Sequence, residues 1–384
     1  MTIFAGRFAK PFLLTFLILP IAMNSIAQHD VFSKEFTWTQ ATTLPDPEGF
    51  AGPYVGTSGG KLLFAGGSNF PGNKRPWDHA EKVWYDNIYL LDHPHGTWRE
   101  AGRLPRAMGY GVALPYKGEI LCAGGGDTHQ NFPDVFLMGC HAGKITISPL
   151  PPMPSGLINA CGVIINDVVY VMGGIFTPSG TTQNNFWSLD LAAPASERKW
   201  LVLDPLPGPS RMLATAGTLH GHLYLFGGVH LVPGAGGLQR EYLRDCREYD
   251  IEHRRWKKIE NLPYTLAAAP SPAYAADPTH LFLFGGDDGV NASRIFELRD
   301  QHPGFRNEIL SYDGRHDAWK IAGIIPVDKR ADRASNPHAS TYAPVTTPLV
   351  IWNGAVVLAG GEARPGVRSN RVLMAQPAKS GSNK

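Results

Sequence analysis

The segment Val356-Val-Leu-Ala-Gly-Gly361 is an apolar strand pattern that ends in two glycines, and the chain contains six such segments. A glycine pair at the end of an apolar strand predicts a buried strand followed by a close approach of two backbones. The segments recur about every 50 residues, which indicates a repeat architecture. The other five copies are Leu62-Leu-Phe-Ala-Gly-Gly67, Ile120-Leu-Cys-Ala-Gly-Gly125, Val169-Tyr-Val-Met-Gly-Gly174, Leu223-Tyr-Leu-Phe-Gly-Gly228 and Leu281-Phe-Leu-Phe-Gly-Gly286.

A second landmark, Leu-Pro or Ile-Pro, also occurs six times and in phase with the glycine pairs. Tryptophan precedes five of these prolines, so each unit has the pattern of four strands with aromatic residues in the outer two. Four strands in about 50 residues are typical of a kelch blade, and the chain is therefore predicted to be an all-β, six-bladed kelch-type β-propeller. The prolines are Pro45, Pro105, Pro151, Pro207, Pro263 and Pro326, and the tryptophans are Trp38, Trp98, Trp200, Trp256 and Trp319.

The register of the landmarks predicts how the ring closes. Trp38 and Pro45 precede the first glycine pair, so the chain begins with the outer strand of a blade. The last blade, by contrast, lacks an outer strand of its own. The N-terminal strand, at about residues 36–42, is therefore expected to complete the C-terminal blade, which removes free strand edges. We expect the propeller to span residues 28–374 and residues 375–384 to form a mobile tail.

Composition and charge exclude several classes of function. The chain has 384 residues, with 43 Gly and 32 Pro, as expected for short strands and many turns. It carries 35 basic and 33 acidic residues, and the basic excess belongs to Arg7 and Lys10 near the N-terminus. The rest of the chain is neutral, so no long-range attraction to nucleic acid or to an anionic membrane is predicted.

Residues 1–27 have the pattern of a secretory signal peptide. Arg7 and Lys10 precede the apolar stretch Phe12–Met23, and the small residues of Ser25-Ile-Ala27 follow. The alternative, a membrane anchor, requires about 20 apolar residues, more than this stretch provides. We expect cleavage after Ala27 and no membrane association afterwards. In a Gram-negative source the protein would be periplasmic.

Four cysteines remain, and their pairing is open. Cys122, Cys140, Cys161 and Cys246 allow three disulfide connectivities, and none lies in a CxxC pair of the kind that binds zinc. Cys122 and Cys161 lie within apolar strand patterns, which favours buried free thiols. No metal site is predicted.

The order of the strands places two sets of loops at one mouth of the central channel: those after each Gly-Gly and those after each Leu-Pro. Binding groups are expected there because loops on a rigid scaffold commonly carry function. Several arginines near one glutamate suggest a small anionic ligand, because Arg binds carboxylates through two parallel hydrogen bonds. The candidates are Arg106, Arg211, Glu362, Arg364, Arg368, Asn69, Arg75, Asp78, His79, Glu81, Asp127, His129, Asp287 and Asp288.

Each candidate taken alone also has a structural interpretation. An arginine after Leu-Pro could pair with an aspartate of a neighbouring blade. Asp287-Asp288-Gly could be a turn, and His79 and His129 could be solvated loop residues. The combination of Glu362 with Arg106, Arg211 and Arg368 favours a binding function for those four.

These motifs resemble those of the kelch-propeller N-acetylneuraminate epimerases, also called sialic acid mutarotases. Gly361-Glu-Ala-Arg-Pro-Gly-Val-Arg-Ser-Asn370 is similar to the family's Gly-Glu-Ala-Lys-Pro-Gly-Leu-Arg-Thr-Asp, and Phe50-Ala-Gly52 to its Phe-Ala-Gly. Arg106-Ala-Met-Gly-Tyr-Gly-Val resembles Arg-Ala-Tyr-Gly-Val, and Pro207-Gly-Pro-Ser-Arg211 resembles Pro-Gly-Gly-Pro-Arg. The matches cover nearly the whole mature chain in rotated order, as in the branch called cyclically permuted mutarotases.

The resemblance implies a reaction and roles for particular residues. The reaction is the interconversion of the α and β anomers of N-acetylneuraminate, without a cofactor. Glu362 would be the acid/base and Arg368 its partner, and Arg106 and Arg211 match motif arginines that would bind the substrate. Arg75 and Arg364 are predicted to bind the substrate from their positions in the mouth loops. The loop 68–87 resembles the family only at its ends, and the segment 287–308 is shorter than the family's insertion.

Two other functions remain open from the sequence. A kelch scaffold can bind a carbohydrate or a protein without catalysis. A copper radical oxidase on the same fold would require a metal-binding set of Tyr and His with a Tyr–Cys crosslink, and no such set is recognisable in the sequence.

Overall fold

The computed structural model describes residues 36–72, 74–234, 236–328 and 340–378. These residues form six four-stranded antiparallel sheets and two short two-stranded ribbons. The innermost strands of the first five sheets contact one another in turn, and that of the sixth sheet contacts that of the first. The Leu349 N–H of the sixth sheet donates to the Ser271 carbonyl, just before the fifth. The prediction of an all-β, six-bladed propeller is confirmed. The predicted signal peptide, residues 1–27, lies outside the described residues.

Each sheet is one blade, and its four strands follow one another in the chain except in the sixth. Strand β1 (Phe36–Ala41) comes first in the chain. The first blade contains β2 (Tyr54–Ser58), β3 (Lys61–Ala65), β6 (Asn87–Leu91) and β7 (Arg99–Arg103), with the ribbon β4 (Ser68–Asn69) and β5 (Val83–Trp84) between β3 and β6. The second contains β8 (Val112–Tyr116), β9 (Glu119–Ala123), β10 (Val135–His141) and β11 (Lys144–Leu150), and the third β12 (Cys161–Ile165), β13 (Val168–Met172), β14 (Phe186–Asp190) and β15 (Trp200–Val202).

The fourth, fifth and sixth blades follow in the chain. The fourth contains β16 (Thr215–Leu219), β17 (His222–Gly234), β18 (Gly237–Asp250) and β19 (Arg255–Ile259). The fifth contains β20 (Tyr274–Asp277), β21 (His280–Gly286), β22 (Arg306–Asp313) and β23 (Ala318–Ile324), and the short helix α1 (Ile295–Leu298) lies between β21 and β22. The sixth contains β24 (Leu349–Trp352), β25 (Ala355–Ala359) and β28 (Val372–Pro377), with the ribbon β26 (Glu362–Arg364) and β27 (Val367–Arg368) between β25 and β28. Single 3-10 turns occur at Pro76–Asp78, Ala292–Arg294 and Arg299–Gln301.

The ring closes as the register predicts. Strand β1 pairs antiparallel with β28, from Phe36 opposite Pro377 to Ala41 opposite Val372, and so completes the sixth blade. The predicted tail boundary at residue 375 was wrong, because this pairing extends the last strand through Pro377. Residues 379–384 of that tail lie outside the described residues.

The core lies between neighbouring blades. Leu62, Leu63 and Phe64 of β3 are all fully buried, because both faces of this strand pack against side chains. Trp98, which directly precedes β7, packs edge-on against Phe64 in such an interface, with ring centroids 6.5 Å apart. Its indole N–H donates a hydrogen bond to the Thr42 carbonyl at 2.9 Å. The strands therefore bury apolar side chains on both faces and place the polar loops at the ends of the blades.

The glycine pairs shape the mouth of the channel. Gly361 has φ 92°, and a Cβ there would lie 2.6 Å from the Val345 carbonyl oxygen. The next residue, Glu362, exchanges two backbone hydrogen bonds of 2.9 Å with Val345. All six blades repeat this bridge. The six bridges are Ala51–Ser68, Gly109–Gly126, Ile158–Ile175, Met212–Val229, Ala267–Asp287 and Val345–Glu362.

The residues next to these bridges form a closed circle, which we call the floor ring. Each has a left-handed backbone, with φ between 53° and 67°. The N–H of each donates to the carbonyl of its counterpart in the preceding blade at 2.7–3.0 Å, and Gly52 donates to Thr346 to close the circle. The floor ring therefore ties all six blades together. Its members are Gly52, Tyr110, Asn159, Leu213, Ala268 and Thr346.

Candidate active site

A cavity of about 640 Å³ lies above the floor ring, at the predicted mouth of the channel. The floor ring also bounds a smaller cavity of about 80 Å³ within the channel. The walls of the large cavity come from the loops that follow the glycine pairs of all six blades. Beside floor-ring residues, the charged and aromatic side chains that line it are Phe70, Lys82, Trp84, Asp127, Arg240, Tyr242, Asp287, Phe305, Glu362 and Arg368.

Glu362 and Arg368 face each other across the ribbon β26–β27. They are direct cross-strand partners, so their side chains share one face of the ribbon. The carboxylate Oε1 of Glu362 accepts Arg368 Nη1 at 2.8 Å and the Gly366 N–H at 2.6 Å. The Glu362 side chain is 19% exposed, so the pair is shielded but open to the cavity. The sequence-predicted pair is brought together as expected.

Arg368 is buried and remains charged. Its guanidinium lies 4.8 Å from the ring centroid of Phe70, and Nε lies 3.4 Å from the Ser68 carbonyl oxygen. Burial alone would lower the pKa of Arg368, but the neighbouring Glu362 and Tyr110 raise it above its usual value. The cation is therefore fixed in position beside the carboxylate.

Tyr110 is a site residue that the sequence-based reasoning missed. Its phenol oxygen lies 3.4 Å from Arg368 Nη2 and 3.4 Å from Ser68 Oγ. Burial would raise the pKa of Tyr110, but the cations Lys82 and Arg368 outweigh it and lower that pKa. The floor-ring residues lie 5 to 20 positions after their prolines, so spacing in the sequence does not single out Tyr110.

Asp287 occupies in blade five the position that Glu362 occupies in blade six. Tyr242 donates to its Oδ2 at 2.6 Å, and the Gly289 N–H donates to its Oδ1 at 3.0 Å. Burial raises the pKa of Asp287. Burial and the Asp287 carboxylate also raise the pKa of Tyr242, although Arg240 opposes that shift. A second carboxylate, that of Asp287, therefore lines the cavity in the blade next to that of Glu362.

Arg106 and Arg211 do not join Glu362, which corrects the predicted group of four. Arg211 is buried and binds Asp245 through two hydrogen bonds, Nη1–Oδ1 at 3.0 Å and Nη2–Oδ2 at 2.8 Å. Arg106 is half exposed, lies 3.3 Å from Asp134 and stacks over a phenylalanine ring. Each of the two arginines pairs with an aspartate, which is the structural role that an arginine after Leu-Pro could have. Neither arginine lines the cavity.

Arg75 and Arg364 also lie behind the cavity wall, which corrects their expected contact with substrate. Both are buried, and both face Asp300, at 3.5 Å and 3.3 Å respectively. Burial lowers the pKa of Arg75, as does the nearby charge of Arg364, while Asp300 and Glu48 oppose the shift. The two arginines therefore anchor the segment 287–308 to the loops of blades one and six.

The remaining candidates divide between the cavity and the turns. Asp127 lines the cavity, and its Oδ1 caps a turn by accepting the His129 N–H at 2.7 Å. Asp288 accepts the Val290 N–H at 3.0 Å and pairs with Arg306 at 2.6 Å, as expected for a turn. The candidates that do not line the cavity are Asn69, Asp78, His79, Glu81, His129 and Asp288.

Cys122, Cys140, Cys161 and Cys246 are buried free thiols, so none of the three possible pairings forms. Within the described ranges, no three His, Cys, Asp or Glu side chains are arranged to hold a metal ion. None of the helices in the described part of the chain has the length and apolar character needed to cross a bilayer.

Comparison with known proteins connects this geometry to a family. The sequence model of the family described as N-acetylneuraminate epimerase matches residues 21–147 and 150–297, more than half of the chain. The chain belongs to this family. The match ends before Glu362 and Arg368, whose assignment rests on the geometry of the cavity.

Individual relatives agree with the family. The N-acetylneuraminate epimerase of Pasteurella multocida (strain Pm70) is 27% identical over 254 residues, which cover 60% of each protein. That of Haemophilus influenzae (strain PittEE) is 27% identical over 238 residues, 57% of each protein. The chain thus spans about 60% of the length of the curated relatives it matches. The solved structure of YjhT superposes with a TM-score of 0.52 at 15% identity, covering 62% of this chain and 77% of that one, and supports the fold.

Proposed function

We propose that this protein is a mutarotase that interconverts the α and β anomers of N-acetylneuraminate, with Glu362 as the acid/base. The observation that carries this proposal is the Glu362–Arg368 pair at the wall of a cavity of about 640 Å³. That volume is in the range of small-molecule sites. Family membership supports the substrate class, since the relatives are named for this sugar acid.

The charge and shape of the cavity suit a sugar acid. Lys82 and Arg240 line it together with Arg368, so cations are available for the substrate carboxylate. Trp84 and Phe305 offer flat apolar faces to the sugar ring. We infer that the carboxylate is held on the cationic side of the cavity, which orients the anomeric carbon toward Glu362.

Glu362 has one oxygen available for proton transfer. Both hydrogen bonds of its carboxylate within the described residues fall on Oε1, which leaves Oε2 for the substrate. Oε2 takes the proton of the anomeric hydroxyl as the ring opens and returns it to the carbonyl oxygen as the ring closes on the other face. This step requires no metal, nucleotide or redox group. General acid–base catalysis of this kind contributes about 10²–10⁴-fold.

The test is the rate at which freshly released α-N-acetylneuraminate equilibrates, followed by proton NMR. Glu362→Gln keeps an oxygen for Arg368 and Gly366 but cannot take a proton, so catalysis should fall about 10²–10⁴-fold. Glu308→Gln is the matched control, because Glu308 also pairs with an arginine, at 3.1 Å, but does not line the cavity. Wild-type rates in Glu362→Gln would remove Glu362 from this role.

The alternative function is a propeller that binds a carbohydrate or a protein without catalysis. In that case the wild-type protein would bind the sugar acid but leave its rate of equilibration unchanged in the same NMR experiment.

We also propose that residues 1–27 direct export and are removed, so that the cavity operates in the periplasm. The basic start, the apolar stretch and the small residues before Gln28 support this. The intact mass of the exported protein should correspond to a chain that starts at Gln28.

A further inference from the structure

We propose that Tyr110 is the second proton-transfer group of this site, the acid that protonates the ring oxygen while Glu362 takes the proton of the anomeric hydroxyl. This assignment rests on the proposed mutarotase function. Ring opening of a hemiketal requires both transfers, and Glu362 alone supplies one of them.

A single guanidinium holds both groups. Arg368 Nη1 lies 2.8 Å from Glu362 Oε1, and Nη2 lies 3.4 Å from the phenol oxygen of Tyr110. The two nitrogens belong to one rigid planar group, so the carboxylate and the phenol are fixed side by side at the cavity wall. Glu362 and Tyr110 both line the cavity. The anomeric oxygen and the ring oxygen of a sugar share one carbon and therefore fit a neighbouring acid and base.

The phenol is free to donate its proton. Arg368 can only donate, so the phenol oxygen is the acceptor in that contact. Ser68 Oγ, at 3.4 Å, is also a donor to the phenol oxygen. Among the described residues no acceptor takes the Tyr110 proton. Tyr242, in the same cavity, instead donates its proton to Asp287.

The backbone holds Tyr110 rigidly. Its N–H donates to Gly52 at 2.7 Å and its carbonyl accepts the Asn159 N–H at 2.9 Å, both within the floor ring. A Cβ on Gly52 would lie 2.6 Å from the Tyr110 ring, so glycine at that position makes room for the ring. Trp84 packs edge-on against the Tyr110 ring, with centroids 5.6 Å apart. Such fixed geometry is what a proton-transfer group needs.

The surrounding charges make Tyr110 a stronger acid than a free tyrosine. The charged groups that face it are Lys82, with Nζ 4.6 Å from the ring centroid, Arg368 and Glu362. Burial and Glu362 favour the neutral phenol, but the two cations prevail and lower the pKa of Tyr110. They would stabilise the phenolate that remains after the proton is given away.

The complete cycle balances without another reactant. In ring opening, the O–H electrons of the anomeric hydroxyl form the carbonyl bond, and its proton goes to Glu362. The bond between the anomeric carbon and the ring oxygen breaks, and that oxygen takes the proton of Tyr110. After rotation about the adjacent carbon–carbon bond, the freed hydroxyl attacks the other carbonyl face. It then returns its proton to the Tyr110 phenolate, while Glu362 protonates the carbonyl oxygen.

The test is the pH profile of kcat/KM for anomerisation by NMR, with the uncatalysed rate subtracted at each pH. Tyr110→Phe keeps the ring and its packing but lacks the acid, so kcat should fall about 10²-fold or more with little change in KM. The wild-type rate should fall on the alkaline side, where Tyr110 loses its proton, and Tyr110→Phe should lack this alkaline fall.

Two further variants separate chemistry from packing. Lys82→Met removes a cation beside the phenol, so the alkaline fall should move to higher pH. Tyr85→Phe is the matched control and should retain wild-type rates, because the Tyr85 hydroxyl contacts Asn69 and does not line the cavity. The assignment is overturned if Tyr110→Phe stays within about threefold of wild type or keeps the alkaline fall. If the wild-type protein itself does not accelerate anomerisation, the proposed function fails and this assignment fails with it.

Discussion

Arginines near the mouth of this propeller either stabilise the fold or organise the site. The groups that each arginine binds determine which of the two roles it has. Both terminal nitrogens of Arg211 bind Asp245, which leaves neither to hold a ligand. Arg368 instead divides its terminal nitrogens between Glu362 and Tyr110, two groups that line the cavity. Arg211 is therefore expected to stabilise the fold, and Arg368 to organise the chemistry.

Replacement of Arg211 by methionine should lower the free energy of unfolding by about 2–3 kcal/mol, because the partly buried Asp245 loses its bidentate partner. KM should remain unchanged. Urea denaturation and steady-state kinetics would measure the two effects. Arg106→Met is the matched control: Arg106 is 47% exposed, so its pair with Asp134 should contribute less than about 1 kcal/mol. A tenfold rise in KM with unchanged stability of Arg211→Met would contradict this assignment.

Among the structural elements, the segment 287–308 forms one wall of the cavity. It places Asp287, Ala292, Ile295 and Phe305 in the wall. Asp300, in the same segment, lies between the buried Arg75 and Arg364, whose like charges it offsets. The cavity wall is thus held in place by charge rather than by a deep apolar core, and its order should depend on Asp300.

Asp300→Asn should loosen this wall, since two buried cations lose a neighbouring anion. We expect KM to rise about tenfold with kcat nearly unchanged, which corresponds to about 1.4 kcal/mol of binding free energy. Hydrogen exchange of the segment 287–308 should increase in the same variant. Glu297→Gln, in the same segment, removes only an exposed pair with Arg294 and should alter neither quantity. Unchanged exchange and KM in Asp300→Asn would refute the anchoring role.

For the whole molecule, ring closure connects the first and last strands of the propeller to the site. Strand β1 completes the sixth blade, which also carries Glu362 and Arg368. Phe36 of β1 packs edge-on against Phe282 and Phe284 of the fifth blade, at 5.6 Å and 5.2 Å between ring centroids. The first strand therefore joins the sixth blade, which carries Glu362, to the fifth.

A chain shortened to begin at Thr42 should have a lower Tm than one that begins at Gln28. It loses the buried Phe36, a loss of about 3 kcal/mol or more, and exposes the backbone edge of β28. Thermal denaturation and size-exclusion chromatography would show the loss of stability and the aggregation expected of an open edge. Equal Tm and elution volume for the two chains would show that β1 is dispensable.

The number of blades, the closure of the ring and the position of the Glu362–Arg368 pair follow from the sequence alone. The glycine pairs and prolines mark conformations that each blade requires locally, so their period reports the fold. Glu362 and Arg368 are six residues apart in one ribbon, and a short ribbon brings its own strands together.

Only the tertiary structure decided the partners of the other arginines and the place of Tyr110. Arg211 meets Asp245, and Arg364 meets Asp300, across chain separations of 34 and 64 residues. Local propensities do not predict such ion pairs, because the pairs depend on how variable loops pack once the blades are assembled. Tyr110 and Arg368 are 258 residues apart in the chain, and their side chains are in contact in the folded protein. Tyr110 is placed there by the floor ring, which forms only when six blades close around one axis. The physical reason is that a charge takes the partner nearest in space, and only the folded ring determines which group that is.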